Sequence, residues 1–172
     1  MADSAAGDGD EDLARLTGWD CAAHGSDRAT YVVDATAQVL RAAAGVPERV
    51  EVSGETVLID PFAWRDFQPG DGMSAEGSPL MVGIRVKGTE HGRFPPLLRP
   101  EWVAVINGDR VWITYGVIEH LTAGDKDQYT VMARHGPRWG PGILVHVLLQ
   151  LRDQGDRTYR VRSNGVRIER TD

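Results

Sequence analysis

The stretch that most limits what this chain can become is residues 101–115, EWVAVINGDRVWITY, where two alternating apolar runs flank Asn107 and Gly108. Alternation with period two marks a strand with two distinct faces, and Asn-Gly tolerates the positive φ that a two-residue type I′ turn demands. The pattern predicts a β-hairpin that pairs Ala104 with Val111 and Val103 with Trp112. It places Trp102, Ala104, Ile106, Val111, Ile113 and Tyr115 on one face, expected to be core. Glu101, Val103, Val105, Arg110, Trp112 and Thr114 fall on the other.

Other segments repeat the theme. Ile143, Val145, Val147, Leu149 and Leu151 alternate against Leu144, His146, Leu148, Gln150 and Arg152, which predicts a central strand partly covered on both faces. TYRVRSNGVRIERT predicts a closing hairpin on Asn164 and Gly165, with Val161 opposite Ile168 inside and Arg162 opposite Arg167 outside. VEVSGETVLID reads as two short strands around Ser53 and Gly54, and PLMVGIRVKG and QYTVMAR as one strand each. DPFAWRDFQPGDGMSAEGSP is dense in turn formers and reads as a long loop, its Phe62, Trp64 and Phe67 tucked under the sheet. One helix is expected over 34–44, capped by Asp34, closed by Gly45 and barred from continuing by Pro47, with Thr36, Val39, Leu40 and Ala43 as its buried stripe. A strand through Tyr31 and Val33 precedes it.

About eight short strands with Gly- and Pro-rich turns predict an all-β, mainly antiparallel fold: a two-sheet sandwich, immunoglobulin-like or transthyretin-like in outline, with a β-barrel as the alternative. The 172 residues suit a single domain over 13–172 behind an acidic leader over 1–12. Of the net charge of −6, five charges sit in that leader, on Asp3, Asp8, Asp10, Glu11 and Asp12, so the body is close to neutral. Such a surface gives no electrostatic reason to expect nucleic acid as a partner. The longest apolar run, near GILVHVLLQL, falls short of the roughly 20 residues that cross a bilayer, so no transmembrane segment is expected. The leader suits either an ordinary disordered terminus or a spacer left when a signal or anchor segment is trimmed, and export is favoured over a cytoplasmic location. The lone Cys21 forms no internal disulfide.

Motifs of nucleophilic, phosphate-binding and zinc-protease chemistry are absent. Cys21 and His24 lack the further ligands of a zinc site, His91, His120, His135 and His146 are scattered, and the alternating aspartates at 8–12 and 125–127 lack the glycine and closing glutamate of a calcium loop. No metal or other cofactor is expected. The favoured function is a non-catalytic binding or structural module whose partner is a protein or a small polar ligand. The alternative is a small enzyme with a loop-built site drawing on Asp60, Arg65, Asp66, His120 or His135. A ligand surface is expected where DPFAWRDFQPG meets HGPRWGPG. Each segment pairs a tryptophan with an arginine there, Trp64 with Arg65 and Trp139 with Arg138, and offers a stacking face beside a fork of donors.

Overall fold

The computed structural model describes residues 30–68, 75–88, 98–114, 117–118 and 128–172. The leader, Tyr115 and the other residues between these ranges lie outside the described set. In chain order the elements are β1 (Thr30–Asp34), α1 (Ala37–Gly45), β2 (Arg49–Val52), β3 (Glu55–Asp66), β4 (Leu80–Gly88) and β5 (Arg99–Asn107). They continue as β6 (Arg110–Thr114), β7 (Val117–Ile118), β8 (Gln128–Gly136), β9 (Leu144–Arg152) and β10 (Thr158–Thr171). No helix among the described residues is long and apolar enough to cross a membrane.

The class is all-β, but two separate sheets do not form. The strands join in one sheet, in the order β1-β6-β5-β9-β10-β3-β4-β8-β7, with β2 added beside β3. Every ladder is antiparallel except β10–β3. The sheet curls into a half-barrel. Val103, Val105, Trp112, Val145, Val147, Leu149 and Leu151 of one half face Val57, Ile59, Val82, Ile84, Val86 and Val131 of the other across a shared core.

The device that makes one sheet out of two is β10. It pairs with β9 from Thr158 to Arg167, and its last residues run parallel to β3, Ile168 opposite Ala63. The predicted closing hairpin is absent. Between the pairs Ser163–Val147 and Val166–Val145, Asn164 and Gly165 together oppose the single residue His146, which is a β-bulge. Gly165 takes φ +66 there. The bulge flips the alternation, so Val161 and Ile168 both point inward, as the sequence pattern required, within one bent strand. Asn-Gly encodes positive φ, and that serves a bulge as well as a turn.

The hairpin β5–β6 forms with a shifted register. Ile106 pairs with Val111 and Ala104 with Ile113, so Gly108 and Asp109 make the turn. Gly108 has φ +62 and Asp109 no positive φ, the arrangement of a type II′ turn with glycine first. The shift is even, so the two face sets survive, but their weights invert. Val103, Val105 and Trp112 are fully buried in the main core. Trp102, Ala104, Ile106, Val111 and Ile113, the expected core face, form a smaller cluster with Leu148 and with Ala43 and Val46 at the helix end. Strand β9 is central as predicted, with Val145, Val147, Leu149 and Leu151 wholly buried on one face and Leu148 under the helix on the other.

The helix starts later than expected. Asp34 still pairs with Arg110 as the last residue of β1, and Thr36 becomes the cap, its Oγ1 accepting from the Val39 amide at 3.2 Å. The expected loop at 60–67 is the second half of β3. Val57, Ile59, Ala63 and Arg65 alternate inward through it, and Pro61 falls in the interval between the segments that pair with β2 and β10, where a missing amide donor is tolerated. Phe62 and Trp64 therefore do not tuck under the sheet. Phe62 and Trp64 stack on the outer face, centroids 5.3 Å apart and 11° between planes, and the Phe62 ring lies across Gly83, where a Cβ would come within 2.2 Å of it.

Tyr129 is buried beneath the half-barrel and donates its hydroxyl to the Leu98 carbonyl at 3.3 Å. Burial pushes its phenol above the ordinary value. Above about pH 10 the unfolded chain ionises this group while the folded chain resists, so stability falls as pH rises through that range. Urea melts from pH 8 to 11 are expected to show a decline that is reduced in Tyr129→Phe; an unchanged slope would show that the phenol ionises without cost.

Candidate functional site

The two segments expected to meet do meet, at one end of the half-barrel, and Arg65 joins them. This inward side chain is only 4 % exposed. Its Nε donates to the Ser78 carbonyl at 2.8 Å, and Nη1 to the carbonyls of Gly140 at 2.7 Å and Arg138 at 3.2 Å. Nη2 donates to the Glu76 carbonyl. A planar fork of five N–H groups suits this task, since it spans several fixed acceptors at once. Burial, with the Arg138 charge nearby, draws the guanidinium below its ordinary pKa, and Glu76 partly opposes this. It stays charged all the same.

The other three predicted residues lie around this clamp. Arg138 pairs with Glu76 at the surface. Trp139 packs against the main core. Trp64 stands on the outer face of β3 beside Phe62, so the two tryptophans do not form a common platform. Phe67 lies between the guanidinium groups of Arg65, 5.0 Å from its centroid, and Arg170, at 4.4 Å, a cation–π arrangement that closes the barrel end. A carboxylate or phosphate arriving here would compete with four carbonyls for Arg65.

Asp60 and Asp66, two of the candidate catalytic groups, are likewise engaged. Asp60 accepts from Lys87 at 2.7 Å and lies 3.1 Å from Arg85; the Lys87 hydrogen bond and the two cationic charges hold its carboxyl below the usual value. Asp66 accepts from the Gln68 amide at 2.9 Å, a turn-forming contact. His135 sits at the end of β8 with φ +64. His120, Cys21, His24 and His91 lie outside the described residues. Among the described residues no group of three or more His, Cys, Asp or Glu could hold a metal ion.

A second place was not foreseen as a site. Helix α1 packs on the outer face of β5, β6 and β9, with β10 beside it, and its C-terminal half is a run of alanines, 42–44, too small to fill the space beneath it. The result is a cleft of about 230 Å³. Leu40, Ala43, Ile106 and Leu148 give it apolar walls, and His146, Arg162 and Asn164 bring polar groups to one side. The bulge shapes this side: Asn164 belongs to it and His146 opposes it. The rim is tied down, because the Arg162 amide donates to the Pro47 carbonyl at 3.0 Å and Asn164 Nδ2 donates to Glu48 Oε1 at 2.7 Å. The mixed outer face of β9 was legible in the sequence. The cleft was not, because it needs the helix laid across that face and β10 bent beside it.

Fold and cleft together define a small all-β protein, among its described residues a curled sheet with one helix packed on its outside. No family model matches the sequence, and no curated protein or solved structure is significantly similar to it.

Proposed function

We propose that this chain is a non-catalytic binding module that holds a small amphipathic molecule in the cleft under α1. The observation that carries this reading is the cleft itself: an open space with apolar walls and a few polar groups on one side, the usual composition of a small-molecule site. Its volume lies below the roughly 300–1,000 Å³ of sites for drug-sized ligands and equals the liquid volume of about seven or eight waters, so the ligand is small. The Arg65 junction is assigned to holding the barrel end together rather than to binding.

Hexan-1-ol is a probe of the right size and polarity. It is expected to bind saturably, shifting amide resonances of α1, β9 and β10, and Ala44→Leu, which puts a larger side chain into the lining, is expected to abolish those shifts while leaving the melting midpoint nearly unchanged. Non-saturable or scattered shifts, or binding indifferent to Ala44→Leu, would overturn the proposal.

A further inference from the structure

The polar side of the cleft contains one group whose chemistry is incomplete. Arg162 lines the cleft, its Nε is closed off from solvent, and that atom has no hydrogen-bond partner. No ion pair or side-chain hydrogen bond satisfies the rest of its guanidinium among the described residues either. This contrasts with the other partly buried arginines of the sheet. Arg65 is saturated by carbonyls, Arg152 is paired with Glu101 at 2.5 Å, and Arg160 donates to Gln150 at 2.7 Å. A half-desolvated cation without a counter-charge is costly, because the water it gave up has not been replaced by an acceptor.

The surroundings offer a partial explanation only. The C-terminal turn of α1 lies at the cleft, and its carbonyl ends carry partial negative charge that favours a cation nearby. No carbonyl takes a hydrogen bond from the Arg162 guanidinium, however, and the Glu48 carboxylate is held by Asn164. Arg162 sits next to apolar walls formed by Leu40, Ile106 and Leu148.

From this, and resting on the cleft-binding reading above, we propose that the ligand is a short-chain monocarboxylic acid whose carboxylate pairs with Arg162 and whose hydrocarbon tail lies between the helix and the sheet. Guanidinium and carboxylate match in shape, giving charge-assisted hydrogen bonds, and a partly water-excluded setting strengthens them. His146, on the same side, brings an imidazole with one N–H donor to the polar wall. The small volume limits the tail to a few carbons.

The test compares three probes of one tail length, sodium hexanoate, hexan-1-ol and hexylamine, by calorimetry or resonance titration at low salt. Hexanoate is expected to bind about tenfold or more tighter than hexan-1-ol, as one charge-assisted contact predicts, and hexylamine weakest. Arg162→Met keeps the apolar stem and removes the charge; it is expected to erase the advantage of hexanoate while leaving hexan-1-ol within about threefold, and Arg162→Lys to restore part of it. If hexan-1-ol binds but hexanoate binds no tighter, or hexylamine binds best, the carboxylate assignment falls and the cleft reading stands. If Arg162→Met weakens both equally, Arg162 is structural and the assignment falls. If none of the three binds, the cleft reading itself fails and takes this inference with it.

Discussion

Replacing Trp112 by alanine is expected to destabilise the protein by about 3–5 kcal/mol, the range for truncating a fully buried aromatic. Trp112 is wholly buried in the main core. It pairs with Val105 on one side and Val32 on the other, and its six-membered ring lies so close to Gly136 that a Cβ there would come within 2.7 Å. The residue therefore fills the space between β6 and β8, each the second strand from an end of the curled sheet, which no described ladder joins directly. Its loss opens a cavity that neither strand can close without uncurling the sheet. Urea unfolding should show a lower midpoint at unchanged m-value. Arg110→Ala, on the same strand but exposed, is the control and should fall within about half a kcal/mol of wild type. Equal effects of the two substitutions would show that the inner face of β6 is not core.

The second large effect is expected at Arg65. Arg65→Met retains volume and loses the fork, leaving the carbonyls of Glu76, Ser78, Arg138 and Gly140 without their donor. An unsatisfied buried acceptor costs about 1–3 kcal/mol, and since some of these four regain water or shift, the total is expected at about 3–5 kcal/mol. Arg65→Lys should recover less than half of this, because a compact ammonium on a flexible stem cannot span four fixed acceptors. The same measurement decides what the junction is for. A residue held ready for a ligand is cheap to remove in the free protein, whereas a clamp is not, so a melt of Arg65→Met indistinguishable from wild type would return this end of the barrel to the list of binding surfaces.

Much of the strand content was legible because alternation is a local signal. The run through Val145, Val147, Leu149 and Leu151 identifies a strand whatever surrounds it, and the Ser53-Gly54 turn, with φ of +53 and +84, joins β2 and β3 at the register its sequence implies. The segment around Phe62 misled because Asp60, Pro61 and Asp66 are turn formers by habit. Here a gap in pairing accommodates the proline, Lys87 and Arg85 engage Asp60, and partners on both sides carry the strand through. At the predicted junction, the sequence named the residues that meet but not their roles. Whether an arginine offers its fork to a ligand or spends it on carbonyls depends on main-chain atoms up to 75 residues away in the chain.

The sequence by itself determined the class of this protein, the identity of most strands and which side chains share a face, since each follows from the two-residue period of an extended chain and from the few residues that accept positive φ. It could not determine which of two apolar faces becomes the main core, whether Asn164 and Gly165 turn the chain or merely bend it, or where α1 rests. Those were decided by the tertiary structure alone. Burial is a property of the surface that arrives from elsewhere, and the curl of one sheet through a bulged β10 both buries Trp112 within and leaves, beneath a helix of alanines, the cleft that Arg162 lines.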